Sequence, residues 1–405
     1  MYRRALVIWQ DWFGLDSLYV TVVLSNLAAL YSAQGQYSRT KDLLQQVLKI
    51  LEQHLEPDHI DIARARDGLA TVFYNEGRYS DAESLYQQAL IIHRLQLPPN
   101  HPDIADILDH MGRLYYSLGK YDQAEQMYQE AIAISKEYKP NHYKFALYIN
   151  NLASLYQDQE KYIDAEVLYK RALAIFEDQL GPDHPDIAAS LNDLAELYRE
   201  QGKYTEAETL HRRAHIMRVR MLGPDHISTA QTLNNLALLY HNQCRYSEAE
   251  PLYRRVLTTW KQQLGEDHPD VALCLSNLAG LCRDQHRYSE AEILQQEAFI
   301  IHERKLGEDH LDTAQSLNDL ALLYHYQGQY MKAQSLYQRA LVIYERKLGT
   351  NNPRTMGVRK NYLTLLQEMR ATTLQREQQT KQPLRNLSSV RTTPRKHKNK
   401  KRRKR

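Results

Sequence analysis

The sequence predicts an all-α solenoid built from stacked helix-turn-helix repeats. Three observations predict it: a motif that returns about every 42 residues, apolar residues at helical spacing in both halves of each unit, and turn residues that fall at the same place in each copy. A self-similar period of this length marks repeat architectures before any other pattern is considered.

The motif Gly181-Pro182-Asp183-His184-Pro185-Asp186 recurs at Gly223 to His226, Gly265 to His268 and Gly307 to His310. Weaker copies surround His59, His101 and His142, and the last copy carries Asn352 where the others carry histidine. The spacing from His101 to His142 is one residue short, which places a deletion near Lys139-Pro140. In the first half of each unit, residues such as Leu191, Leu194, Ala195 and Tyr198 stand at i, i+3, i+4 and i+7, the spacing of an amphipathic helix. The turn Gln201-Gly202-Lys203-Tyr204 follows, with glycine where a left-handed backbone ends a helix at little cost. Thr205 with Glu208 then reads as a capping box for the second helix, repeated as Ser80 with Glu83, Ser247 with Glu250 and Ser289 with Glu292. Each such cap is worth about 1 kcal/mol. The second helix, exemplified by Leu168 to Ile175, ends at the glycine before the Asp-His loop.

One such pair cannot bury its apolar face alone, so neighbouring pairs must share a continuous core. Ala195, Ala207 and Ala214, repeated as Ala321, Ala333 and Ala340, allow close helix approach. Most tyrosines fall at three repeated core positions, as in Tyr156, Tyr162 and Tyr169, and Cys282 stands at one of them as a core substitute.

Met1 to Trp9 matches Leu336 to Tyr344, so residues 1–17 read as a partial repeat, second helix only, which is either an unusual cap or, the favoured reading, the continuation of residues upstream. Residues 18–353 form eight repeats. Residues 354–372 form a C-terminal capping helix, made more soluble by Arg359 and Lys360 in place of the usual Leu and Asn. Residues 373–405 form a disordered basic tail. The net charge of +3 is concentrated in Arg391 to Arg405, which holds no acid, and the rest of the chain is mildly acidic. Cys244, Cys274 and Cys282 have no CxxC spacing and build no disulfide framework. With no apolar run of membrane-spanning length and no cleavable leader at Met1 to Gln10, a soluble cytoplasmic protein is expected, its tail a potential nuclear address.

The pattern Leu-x-x-Leu-Ala-x-x-Tyr followed by Ala, Tyr and Ala resembles tetratricopeptide repeats. The repeat length, with Leu233 to Tyr240 and Ala340 to Gly349, resembles the kinesin light chain type over about residues 1 to 370. The resemblance implies a right-handed superhelix whose first helices line a concave groove, and it implies cargo-peptide binding by asparagines there. It extends to the cargo-binding half only. No heptad coiled coil precedes the repeats in this sequence, so attachment to a motor is not expected.

No catalytic or phosphate-binding motif occurs, an enzyme is not expected, and no cofactor is implied. The seven loop histidines are spread one per repeat, too far apart to converge on a metal ion, and read instead as helix-starting residues. The first members of the polar doublets, Asn150, Asn192, Asn234 and Asn318, lie on the groove edge of the first helices. There they either hydrogen-bond a peptide backbone or act as hydrogen-bonding spacers between repeats. Seven residues further on along the same face, Tyr74, Tyr116, Gln157, Arg199, His241, Arg283 and His325 form a row from aromatic to basic. That row favours an acidic segment with an aromatic or apolar anchor, in a field diluted by Glu196, Glu200 and Asp284.

The expected function is therefore a peptide-binding adaptor. One rival is the sensor region of a larger signalling protein with an NTPase or protease effector upstream. Another is a scaffold tethered to nucleic acid or anionic membrane by residues 391–405, unspecific and salt-sensitive because the tail lacks aromatics.

Overall fold

The computed structural model describes residues 9, 11–14, 16–33, 36–138 and 142–381. Among the described residues seventeen helices follow one another from Leu18 onward, with no strand. They pair as α1 (Leu18–Ala33) with α2 (Tyr37–His54), α3 (Ile60–Asn75) with α4 (Tyr79–Gln96), α5 (Pro102–Ser117) with α6 (Tyr121–Tyr138), and α7 (Tyr143–Asp158) with α8 (Tyr162–Leu180). The second half continues with α9 (Pro185–Glu200) and α10 (Tyr204–Leu222), α11 (Ile227–Asn242) and α12 (Tyr246–Leu264), α13 (Pro269–Asp284) and α14 (Tyr288–Leu306), then α15 (Leu311–Tyr326) and α16 (Tyr330–Leu348). Helix α17 (Pro353–Lys381) closes the stack and runs on past the expected end at 372. Most of the partial repeat at 1–17, the deletion near Lys139-Pro140 and the tail from 382 onward lie outside the described residues.

Each pair packs on the next, which makes the chain an α-solenoid. Successive first helices, the odd-numbered ones, approach each other more closely than successive second helices do, so the first helices form the inner wall. The small residues make this approach possible: Ala195, Ala207, Ala214, Ala321, Ala333 and Ala340 are all fully buried. Tyr86, Tyr128, Tyr169, Tyr253 and Tyr337 fill the space between helices of a pair and are at most 2% exposed. Cys282 is buried where other repeats place tyrosine.

The loop histidines start the first helices. In His59, His101, His142, His184, His226, His268 and His310 the ring Nδ1 accepts the backbone N–H two residues on, at 3.1–3.4 Å. An imidazole thus takes the place of the usual Ser or Asp oxygen in satisfying an orphan donor. Asn352 does the same with its side-chain oxygen, accepting from Arg354 at 2.9 Å. The turn between helices ends as expected: Lys203 N–H donates to Tyr198 O at 2.8 Å, with Gly202 left-handed at φ 73°.

The capping boxes do not form. Helices α4, α10, α12 and α14 begin two residues earlier than those caps would place them, at Tyr79, Tyr204, Tyr246 and Tyr288, and no side chain caps them. Ser80, Thr205, Ser247 and Ser289 therefore sit inside the first turn. The glutamates of the motif instead reach the following repeat. Glu83 accepts from the hydroxyl of Tyr115 at 3.0 Å, Glu208 from that of Tyr240 at 2.9 Å, and Glu292 from that of Tyr324 at 2.9 Å. Glu250, opposite Cys282, takes Arg287 at 3.0 Å instead.

Candidate functional site

Along the inner wall the polar doublets of the first helices meet from repeat to repeat. His110 donates to Asp67 at 2.8 Å, Asn151 to Asp109 at 2.7 Å, and Asn150 to Asp193 at 2.8 Å. Farther on, Asn277 donates to Asn234 at 3.1 Å and Asn361 to Asn318 at 3.2 Å. The doublets form a ladder with one rung at each of these junctions, and it sets the register between neighbouring first helices. Asn192, Asn234 and Asn318 are 5%, 6% and 7% exposed, and Asn150 is half-buried. The structure places these four amides in the wall, engaged with their neighbours, as the spacer reading expects. A ligand reaches them only by replacing those bonds.

Asn192 belongs to a denser cluster that sequence reasoning missed. His211, fully buried where most repeats place tyrosine, donates from Nδ1 to Asn192 at 2.9 Å and has Nε2 at 3.3 Å from Glu196. Asn192 in turn donates to Thr232 at 3.2 Å. Burial opposes the charge of Glu196, but the neighbouring His211 and the bond from Arg199 outweigh it and hold the carboxyl below its usual range. The signal was present in the sequence: a histidine breaking the tyrosine column.

Two helical turns beyond the ladder runs the aromatic-to-basic row. Tyr74 shares a hydrogen bond with Ser117 at 2.8 Å, and Tyr116 donates to Asp158 at 2.7 Å. Gln157 is turned into the wall, accepting from Tyr169 at 3.1 Å. His241 Nε2 donates to Asp284, and His325 Nε2 to Glu368, each at 2.9 Å. Arg199 is held by Glu196 at 2.7 Å, and Arg283 by Asp284 at 2.9 Å. Each basic side chain of the row faces an acid, so it is a line of donor–acceptor pairs rather than a bare basic stripe.

A cavity of about 160 Å³ opens in this wall beside Gly280, where the missing side chain leaves a notch between α11, α13 and α15. Leu238 and Leu323 supply apolar walls, while His241, Arg283, Asn277 and Asp319 supply polar ones. Nδ1 of His241 has no partner there. Burial pushes the carboxyl of Asp319 up to about 6, against hydrogen bonds from Gln315 and Asn318. Arg113, on the same wall nearer the N-terminus, is exposed and lies 5.6 Å from the ring of Tyr74.

The tetratricopeptide repeat family model matches residues 41–94, 61–137, 144–218, 192–258, 228–299, 276–346 and 312–369, and a second model of the same repeat matches residues 20–61. No curated protein matches the chain. Among solved structures it is similar to aspartyl phosphate phosphatase F from Bacillus subtilis, at 14% identity over 85% of this chain and 93% of that one, with a TM-score of 0.56. It is also similar to a Rap protein complexed with competence and sporulation factor, at 15% identity over 81% of this chain and 98% of that one, with a TM-score of 0.54. Kinesin light chain-type repeats are among its neighbours too. A protein of Podosopora anserina with nearly identical TPR-like repeats is 25% identical over 51% of this chain and 97% of that one, at a TM-score of 0.41. A repeat stack of this kind is a scaffold, typically non-catalytic, and the chain belongs to the tetratricopeptide repeat family.

Proposed function

We infer that the protein is an adaptor that holds an extended peptide segment of a partner protein against the wall of first helices. The observation that carries this is the row from Tyr74 to His325: one side chain from the same helical position in each of seven repeats, stepped evenly along the inner wall. An evenly stepped row of donors and acceptors suits a ligand that repeats along its own length, as peptide backbone does. The segment is acidic with an aromatic or apolar anchor. Arg199 and Arg283 each have more N–H donors than their intramolecular partners use, which leaves room for a ligand carboxylate. The notch beside Gly280, walled by Leu238 and Leu323, takes the anchor. The asparagines of the ladder hold the wall in shape instead of contacting the ligand. A cytoplasmic setting, with residues 391–405 as a nuclear address, belongs to the same proposal. Among the described residues no helix is long and apolar enough to cross a membrane.

Selection from a random peptide display library on the full chain tests the inference. The expected result is enrichment of peptides rich in Asp and Glu around one aromatic residue. Arg199→Ala combined with Arg283→Ala then weakens binding about ten-fold or more, the loss of one or two charge-assisted bonds, at unchanged helicity. No enrichment, or affinity untouched by both substitutions, removes the groove as the seat of function.

A further inference from the structure

The left-handed glycine between first and second helices stands in open space at Gly202 and Gly328, but elsewhere it does not. A β-carbon on Gly77 would lie 3.4 Å from the ring of His310. One on Gly119 would overlap the side-chain amide of Asn352 and lie 3.6 Å from Pro353. Both pairs are separated by 233 residues, 77 to 310 and 119 to 352, so a single repeated step relates them. The contact joins opposite edges of the solenoid: the turns before α4 and α6 on one edge, the caps of α15 and α17 on the other.

Burial agrees. The side chain of His310 is 16% exposed, whereas the same cap residue is 40% exposed at His59, 34% at His101, 37% at His184 and 31% at His268. Asn352 is 7% exposed. Tyr79, the first residue of α4, packs on the core of the C-terminal repeats as well as on its own. The charges of Arg354 and Asp312, at the starts of α17 and α15, lie near enough to bear on its hydroxyl.

We propose that the solenoid is latched, its two edges meeting after one superhelical turn along a seam of Gly77, Tyr79 and Gly119 against His310, Asn352 and Pro353. Glycine is required at 119 because any side chain meets Asn352. The inner wall is enclosed where the seam closes, so a ligand enters along the axis or by parting the seam. A flexible segment does this and a folded domain does not. The seam stands without the groove reading, while its consequence for ligand entry rests on it.

The test is the full chain carrying Gly119→Cys and Asn352→Cys in a Cys244→Ser background. Cys244 already occupies the equivalent turn position with φ 58°, so the backbone accepts a thiol there, and the other two cysteines are buried. On mild oxidation under native conditions the intramolecular disulfide is expected to form in nearly full yield. It should shift the band on a non-reducing gel and raise the unfolding midpoint, since it closes a very long loop. Free thiols in a chain of unchanged helicity overturn the latch.

Should that variant fail to fold, hydrogen exchange on the native protein decides. Amides 312–314 at the start of α15, behind the seam, exchange more slowly than amides 228–230 at the start of α11, whose His226 cap is exposed. Equal exchange overturns the latch. A formed disulfide without peptide binding counts against the groove alone, and free thiols with intact peptide binding count against the latch alone.

Discussion

The hydroxyl of Tyr240 donates a hydrogen bond to Glu208 at 2.9 Å across the junction between two repeats, and Arg245 joins them at 2.9 Å. Burial raises the cost of charge on Glu208, but Arg245, Tyr240 and Arg212 outweigh it and hold its carboxyl below the usual range. The stabilisation is therefore fully present above the unfolded carboxylate value of about 4.3 and is lost as pH falls through the folded one. Glu208→Ala is expected to cost about 1–3 kcal/mol in urea unfolding at pH 7, because it strands the partners of a part-buried charge. Thr205→Ala, at the other end of the apparent capping box, is expected to cost under about 0.5 kcal/mol, since Thr205 caps nothing. Equal losses would restore the capping reading.

The histidine caps make a pH prediction at a single residue. Burial lowers the affinity of His310 for a proton, and its Nδ1 must stay unprotonated to accept from Asp312 N–H. A base whose folded value is lowered contributes stability that is full above the unfolded value of about 6.5 and falls as pH drops through the folded value. His310→Asn copies the cap that Asn352 makes and removes the titration. Near pH 8 the variant should fall slightly below the parent, by the packing that the histidine ring makes beside Gly77. Below about pH 6 it should be the more stable of the two, in thermal melts followed by circular dichroism.

Backbone strain marks three other turns. Glu160, Cys244 and His286 adopt φ of 60°, 58° and 61° at the position that Gly202 fills elsewhere. A left-handed non-glycine residue costs about 1–2 kcal/mol. Glycine offsets part of this through the entropy of the unfolded chain. Cys244→Gly and His286→Gly are each expected to raise stability by up to about 1 kcal/mol, read from denaturation midpoints at unchanged slope.

Gly112 carries the opposite prediction. It stands where other repeats have alanine, yet a β-carbon there would lie 2.5 Å from the ring of the fully buried Tyr128. Gly112→Ala, ordinarily stabilising in a helix, should here destabilise by about 1–3 kcal/mol through overpacking. Tyr128→Leu in the same chain should recover part of the loss.

The repeat, the helix pairs and the histidine-started helices were legible because each is a local pattern copied along the chain. The capping boxes misled because Ser/Thr-x-x-Glu is also what a junction looks like when the glutamate serves the next repeat. Nothing within one unit separates the two uses. The angle of the doublets on the helix set them beside the apolar stripe, and the resemblance to tetratricopeptide repeats supplied the groove as their setting. Whether Asn234 faces a ligand or Asn277 depends on the gap between neighbouring helices, which the packed alanines set. The notch beside Gly280 arises where one repeat departs from the others, and the contact of Gly119 with Asn352 depends on the superhelical rise summed over many junctions. Neither is written in any single window of sequence.

Whether the first helices hold a peptide is decided by a footprint. A peptide selected on the full chain is bound, and hydrogen exchange is compared with and without it. Protection is expected along the first helices α3 to α15, strongest around Arg199, His241 and Arg283, with the second helices unchanged. Protection on the second helices, or none within the repeats, would contradict peptide binding by the first helices.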